Sequence, residues 1–258
     1  MNGGDDTIIT GSGNDVIIAG NGADQINVGD GGNVVLGDRG VVELVNGIPT
    51  TATSEISVNA GDDSIIAGTG FDGIIGGGGN DNASQIDGLI TIEGIDAGDG
   101  DNYVLGDDGV IGFASGLPAS ALLTPSPQDG NDIITTGAGR DFVYTGNGDN
   151  NRVASGDGHD DVIGGSGSDD IDGQGGNDWI VGLLGDDIID GGAGHDVAFG
   201  GVALGTRADY YLSDLSDLDP TKFEQPAEVL AVQDAYSCLL YTSPSPRDLS
   251  TSRMPSSA

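Results

Sequence analysis

Single aliphatic residues recur every nine positions along most of this chain: Ile8, Ile17, Ile26 and Val35, then Ile65 and Ile74, Ile134 and Val143, and Val162, Ile171, Ile180 and Ile189. One apolar residue in nine is too sparse for an amphipathic helix, which needs three or four per two turns. It fits a strand of about three residues that points one side chain at a core and is followed by a turn. Strands that short are not stable alone, so the units must stack. Two units then make one coil with a strand on each side, and equivalent residues of successive coils lie about 4.8 Å apart. The pattern predicts an all-β parallel β-roll, a right-handed solenoid of stacked nonapeptide half-turns.

The polar positions keep the same period. Units start at residues 1, 10, 19 and 28, at 58, 67 and 76, at 127, 136 and 145, and at 155, 164, 173, 182 and 191. All fifteen carry Gly at the fourth place, and twelve carry Ile or Val at the eighth, with Ala83, Arg152 and Ala198 as exceptions. The sixth place holds Asp6, Asp15, Asp24, Asp63, Asp72, Asp81, Asp132, Asp141, Asp160, Asp169, Asp178, Asp187 and Asp196, with Asn33 and Asn150 completing the set. An extra residue enters next to Arg152, so a bulge or slip is expected there. Glycines permit positive φ and let backbone carbonyls converge in the turn. Stacking lines up the sixth-place carboxylates as a column on each edge, at repulsive separations. A hard cation with six to eight oxygen ligands at about 2.3–2.6 Å relieves that repulsion. Carbonyls mixed with carboxylates suit Ca²⁺, whereas Mg²⁺ keeps its waters and Zn²⁺ prefers nitrogen or sulfur.

Composition sharpens this reading. The 258 residues include 49 Gly and 42 acidic residues against 7 basic ones, a formal charge of −35. Such a chain repels nucleic acid and anionic membranes and attracts cations. Glycine entropy and self-repulsion alone would suggest an acidic disordered segment, but disorder has no reason to hold a nine-residue register. No run of 18 apolar residues is present, so no membrane-spanning helix is expected. The opening "NGGDDTIITG" lacks the basic and apolar regions of a secretory signal peptide.

With these units in view, the chain resembles the RTX, or hemolysin-type, calcium-binding repeat family, whose nonapeptide is G-G-x-G-x-D-x-U-x. "GGSGSDDID" (Gly164 to Asp172) and "GGAGHDVAF" (Gly191 to Phe199) match it at each specified place, Ala198 being a weak apolar residue. The resemblance implies that each ion bridges a unit and the next but one: Asp6 with Asp24, Asp15 with Asn33, Asp63 with Asp81, Asp132 with Asn150, Asp160 with Asp178, Asp169 with Asp187 and Asp178 with Asp196. The Asn33 and Asn150 sites lose a charge and are expected to bind more weakly. It also implies several Ca²⁺ ions, a secreted or cell-surface location and export by a type I exporter that reads a C-terminal signal.

Repeat blocks are expected at 1–37, 58–105 (with degenerate units) and 127–199. Insertions at 38–57 and 106–126 separate them. "GDRGVVELVNGIP" (Gly37 to Pro49) and "GDDGVIGFASGLP" (Gly106 to Pro118) align at an offset of 69, so a 69-residue module occurs twice. "GVVELV" reads as a strand with a counterpart in "SEISV", which predicts hairpin-like loops emerging from the roll. These loops are either tolerated insertions or sites for a cell-surface or glycan partner. Residues 200–237 leave the pattern, and Pro226 before "AEVLAVQDAY" suits a short helix start; the segment either caps the roll or begins another domain. Residues 238–258 lack Gly, hold the only Cys (Cys238), and resemble a translated transposase adapter of sequencing libraries. The natural sequence is expected to end near Ser237, within a longer parent protein.

Enzyme motifs are missing: neither H-E-x-x-H nor G-x-S-x-G occurs, and the chain is not expected to be an enzyme. His159 and His195 occupy fifth places four units apart, too far to share a metal, and are expected to face solvent. "GTGFDG" (Gly68 to Gly73) satisfies G-x-G-x-x-G but lies inside the nonapeptide register. Trp179 and Tyr144 fall on outward strand positions, where sugar stacking is an option. The expected function is a calcium-binding module of a large secreted bacterial protein. The parent would be an adhesin or other surface protein or, alternatively, an RTX-linked enzyme or pore-forming toxin with its active domain elsewhere.

Overall fold

Nine-residue spacing becomes two long parallel sheets in the computed structural model, which describes residues 3–81, 84–86, 90–92 and 94–201. One sheet orders the strands Thr7–Ile9, Gln25–Gly29, Ser64–Ala67, Ile95–Asp96, Ile133–Thr135, Arg152–Ala154, Asp170–Asp172 and Ile188–Asp190. The other orders Val16–Ile18, Val34–Leu36, Gly73–Ile75, Tyr103–Leu105, Phe142–Gly146, Asp161–Ser166, Trp179–Leu184 and Val197–Phe199. Each coil contributes one strand to each sheet. No helix occurs among the described residues, so the fold is an all-β parallel β-roll. Segments 202–237 and 238–258 lie outside the described residues, and so do their expected cap and adapter origin.

Register follows the eighth-place residues. In the first sheet Ile8, Ile26, Ile65, Ile95, Ile134, Val153, Ile171 and Ile189 face one another in sequence. In the second, Ile17, Val35, Ile74, Val104, Val143, Val162, Ile180 and Ala198 do the same. The two columns meet as a one-residue-wide core in which Ile65, Ile74, Val104, Ile134, Val143, Val162 and Ile180 are fully buried. Blocks that read as separate in sequence therefore stack as one continuous roll. Fourth-place glycines allow the stacking: Gly158, Gly176 and Gly194 have positive φ or an equivalent close approach, and a Cβ on Gly176 would collide with the Gly158 carbonyl. Ala138–Gly139, Asp157–Gly158, Gly175–Gly176 and Ala193–Gly194 add their own short parallel sheet along one edge.

Both insertions are hairpins, and they merge. Gly40–Val45 pairs antiparallel with Ile48–Ser54, Gly109–Ala114 with Leu117–Leu123, and the two inner strands pair with each other, giving a four-stranded sheet. Of the expected counterpart "SEISV" only Ser54 pairs with "GVVELV", opposite Gly40: the chain turns back earlier, at Asn46 (φ 55°) and Gly47 (φ 80°). Two positive-φ residues make the tight turn that matches strand twist, and Ser115 (φ 56°) with Gly116 (φ 84°) repeats it. Ala52, Ile111 and Leu123 bury this sheet against Leu36, Ile75 and Leu105 on the outer face of the second long sheet. In the segment expected to hold degenerate repeats, Ser84–Ile86 and Ile90–Ile92 form a further antiparallel pair.

Candidate metal centre

Along each edge, the backbone N–H of one rung residue donates to the side-chain Oδ1 of the rung in the next coil. One edge carries Asp6, Asp24, Asp63, Asp81, Asp132, Asn151, Asp169 and Asp187, joined by N–H···Oδ1 bonds of 2.7–3.1 Å. The other carries Asp15, Asn33, Asp72, Asn102, Asp141, Asp160, Asp178 and Asp196, joined at 2.7–3.0 Å. The ladders run unbroken past both insertions: Asp24 meets Asp63, and Asp81 meets Asp132.

Using Oδ1 for the ladder leaves Oδ2. In Asp24, Asp63, Asp72, Asp81, Asp132, Asp141, Asp160, Asp169 and Asp187 this second oxygen is buried without a hydrogen-bond partner. A buried ionised oxygen in that state costs several kcal/mol unless a proton or a cation meets it. The carboxyl pKa values respond accordingly. Burial first, then neighbouring carboxylates, pushes Asp141 up to about 7 and Asp160 to about 8. Burial raises Asp72 and Asp169 to about 6, and Asp63, Asp81 and Asp132 also rise. Room is kept beside these oxygens: a Cβ on Gly76, Gly164 or Gly182 would collide with Oδ2 of Asp81, Asp169 or Asp187. Among the described residues no three His, Cys, Asp or Glu side chains converge as a metal cluster. A cation here would therefore draw much of its shell from backbone carbonyls. The donors are all oxygen, which fits calcium and not zinc.

Fourteen of the fifteen expected residues stand in the ladders, and Asn150 does not. It is exposed, and its N–H bonds to Asn131 Oδ1 on the outer rim of the turn. Asn151 takes the rung, because only that choice puts Val153 in the core column and leaves Arg152 outside. Asn102 was missed, although it lies 69 residues after Asn33 in a unit with Gly100 and Val104 at the expected places. Sequence reasoning also missed Asp38 and Asp107, at the roots of the hairpins. Asp38 Oδ2 accepts the Gly78 N–H, and Asp107 accepts those of Gly130 and Asn147. Both are buried; Asp38 rises to about 7, chiefly through burial and then through Asp108. They thicken the negative charge of the first ladder, where Asp38 acts on Asp63 and Asp132 acts on Asp107.

The histidines belong to an outer ladder of fifth-place residues: His159 Nδ1 accepts the Asn177 N–H, and Asn177 Oδ1 accepts that of His195. Trp179 and Tyr144 do point away from the roll core, but they are 4% and 6% exposed in the apolar cluster outside it, Trp179 against Phe199. Neither offers a free face for a sugar. "GTGFDG" is a ladder turn that leads into the strand Gly73–Ile75, not into a helix. No described helix is long and apolar enough to cross a membrane.

The family model for the RTX calcium-binding nonapeptide repeat (4 copies) matches residues 2–35, 57–83, 128–151, 145–180 and 172–202. No curated protein and no solved structure matches the chain.

Proposed function

Because the chain belongs to the RTX calcium-binding nonapeptide repeat family, we propose that it is the calcium-folded module of a large secreted bacterial protein of adhesin or other surface type. The observation that carries this reading is the row of buried, unpartnered Oδ2 atoms on both edges. Asp24, Asp63, Asp81, Asp132, Asp169 and Asp187 on one ladder and Asp72, Asp141 and Asp160 on the other are the residues we assign to the ions, with Asp6, Asp15, Asp178 and Asp196 continuing the rows. When bound, calcium supplies the positive charge that offsets these carboxylates. Without that charge the columns repel one another and the chain resists coiling, which keeps it threadable through a type I exporter in a calcium-poor cytosol. In a calcium-rich exterior the free energy of binding becomes free energy of folding.

The surface-protein part rests on the 69-residue module, since two successive copies each add a hairpin to one shared sheet. Flanking sequence with more such modules supports it; a catalytic or acylated domain there would favour an RTX-linked enzyme or toxin. Far-UV circular dichroism of the chain during calcium titration, with magnesium as control, tests the module itself. A cooperative, calcium-specific gain of β signal is expected. A chain equally folded in EDTA, or equally responsive to magnesium, would overturn the reading.

A further inference from the structure

Three rungs are Asn rather than Asp, and all three use the second side-chain atom differently. Asn33 Nδ2 donates to the carbonyls of Gly29 and Gly31, at 3.2 and 3.0 Å. Asn102 Nδ2 donates to those of Gly98 and Gly100, at 3.1 and 3.2 Å. These are the same two turn positions, four and two residues before the rung. Asn151 Nδ2 donates to Thr145 Oγ1 at 3.1 Å, and that hydroxyl donates to the Gly164 carbonyl of the next coil.

Each of these residues still makes the ladder bond. Asn33, Asn102 and Asn151 accept through Oδ1 from Asp15, Asp72 and Asp132, as an Asp would. That bond fixes which amide atom is oxygen, so the nitrogen must face the turn. What changes is one atom: a two-proton donor stands where Asp rungs such as Asp63, Asp81 and Asp132 hold a buried oxygen with no hydrogen-bond partner. The amide satisfies the turn carbonyls from within, without an unpaired buried charge.

We infer that Asn33, Asn102 and Asn151 are built-in cation substitutes, closing their own turns by hydrogen bonds and keeping calcium out of them. The inference rests on the reading that the Asp rungs hold calcium. The roll then carries fewer ions than rungs, and its metal-free turns fall where the 18-residue coil is interrupted. Asn33 precedes the strand Val34–Leu36 that feeds the first hairpin, and Asn102 precedes Tyr103–Leu105, which feeds the second. Asn151 sits where a coil step lengthens to 19 residues. Both hairpins and the one-residue slip thus have beside them a turn that closes without an ion.

Converting the substitutes back tests this. Asn33→Asp and Asn102→Asp, made separately in the full chain, are dialysed against buffered free calcium, and bound calcium per chain is counted by elemental analysis. Folding is followed by circular dichroism over the same calcium range. Each variant is expected to hold one more ion than the parent and to need several-fold more calcium to reach half folding. Asp141→Asn, the reverse change on the same ladder, is expected to hold one ion fewer. Variants that bind as many ions as the parent, or that fail to fold in saturating calcium, would overturn the inference. A parent chain that binds no calcium would instead sink the reading beneath it, a separate and recognisable result.

Discussion

The roll and the hairpin sheet solve the same problem in opposite ways. The hairpin sheet is ordinary antiparallel structure: its strands satisfy one another, Asn46 and Gly47 set the turn, and Ala52, Ile111 and Leu123 bury its inner face. An ion pair beside it, Arg39 with Glu55 at 3.0 Å, is exposed and contributes little. The roll has strands of about three residues, a core one residue wide, and edges lined with buried carboxylate oxygens. The sheet satisfies its backbone by its own pairing. The roll leaves buried carboxylate oxygens without hydrogen-bond partners, and its stability is handed to whatever neutralises its edges.

Chelation should expose that difference most strongly, and pH sets its sign. Three ladder carboxyls have folded pKa values raised above the unfolded 3.8, to about 6 for Asp72, 7 for Asp141 and 8 for Asp160, with burial the largest cause. Without metal, a raised carboxyl contributes stability that is fully present below about pH 4 and is lost as pH rises through 6 to 8. In EDTA the far-UV β signal should therefore be strongest near pH 4 to 5 and fade by pH 8 to 9. In calcium the order should invert, because protons compete for the same oxygens. A metal-free roll that gains structure from pH 5 to 8 would contradict this.

Cutting one rung comes next in size. Asp132 is fully buried in mid-ladder and accepts the Asp81 N–H. Asp132→Ala strands that donor, worth about 1–3 kcal/mol, and removes a carboxylate, so the calcium midpoint should rise about tenfold or more. An unchanged midpoint would remove Asp132 from the set. On the other side of the comparison, Ile111→Ala hollows the junction between hairpin sheet and roll and should cost about 2–5 kcal/mol. Thermal melts should show that loss in saturating calcium, with the number of bound ions unaltered; a lost ion would mean the two regions are coupled more tightly than their packing implies. The smallest effect is expected from Gly47→Val, which forces a branched residue into positive φ at the turn and should cost about 1–2 kcal/mol without moving the calcium midpoint.

Most of the roll was legible because its period is rigid. A residue two places after Asp178, Ile180, must enter the core when turns are built alike. Legibility failed where the period slips. "GDNN" offers two adjacent Asn residues, and only the burial of Val153 against the exposure of Arg152 selects Asn151 over Asn150. Alternation placed Trp179 and Tyr144 outward correctly, but it carries no sign that the outer face of the second long sheet is itself buried. The hairpin turns at Asn46–Gly47, a strong tight-turn signal, while the strand-like stretch "SEISV" that competes with it pairs only through Ser54. Asp38 and Asp107 precede their hairpins without belonging to any repeat unit, and only coil stacking reveals them.

Hydrogen exchange of the chain in calcium and in EDTA at pH 8 tests the central claim most directly. The ladder amides of Asp63, Asp81, Asp132, Asp141 and Asp160 all donate to the next carboxylate or amide oxygen. Peptides spanning them should be protected in calcium and lose nearly all protection in EDTA, and magnesium should not restore it. Equal protection in both conditions would mean that the buried carboxylate ladders stand without a cation, and the account of this roll as a calcium-folded module would fail.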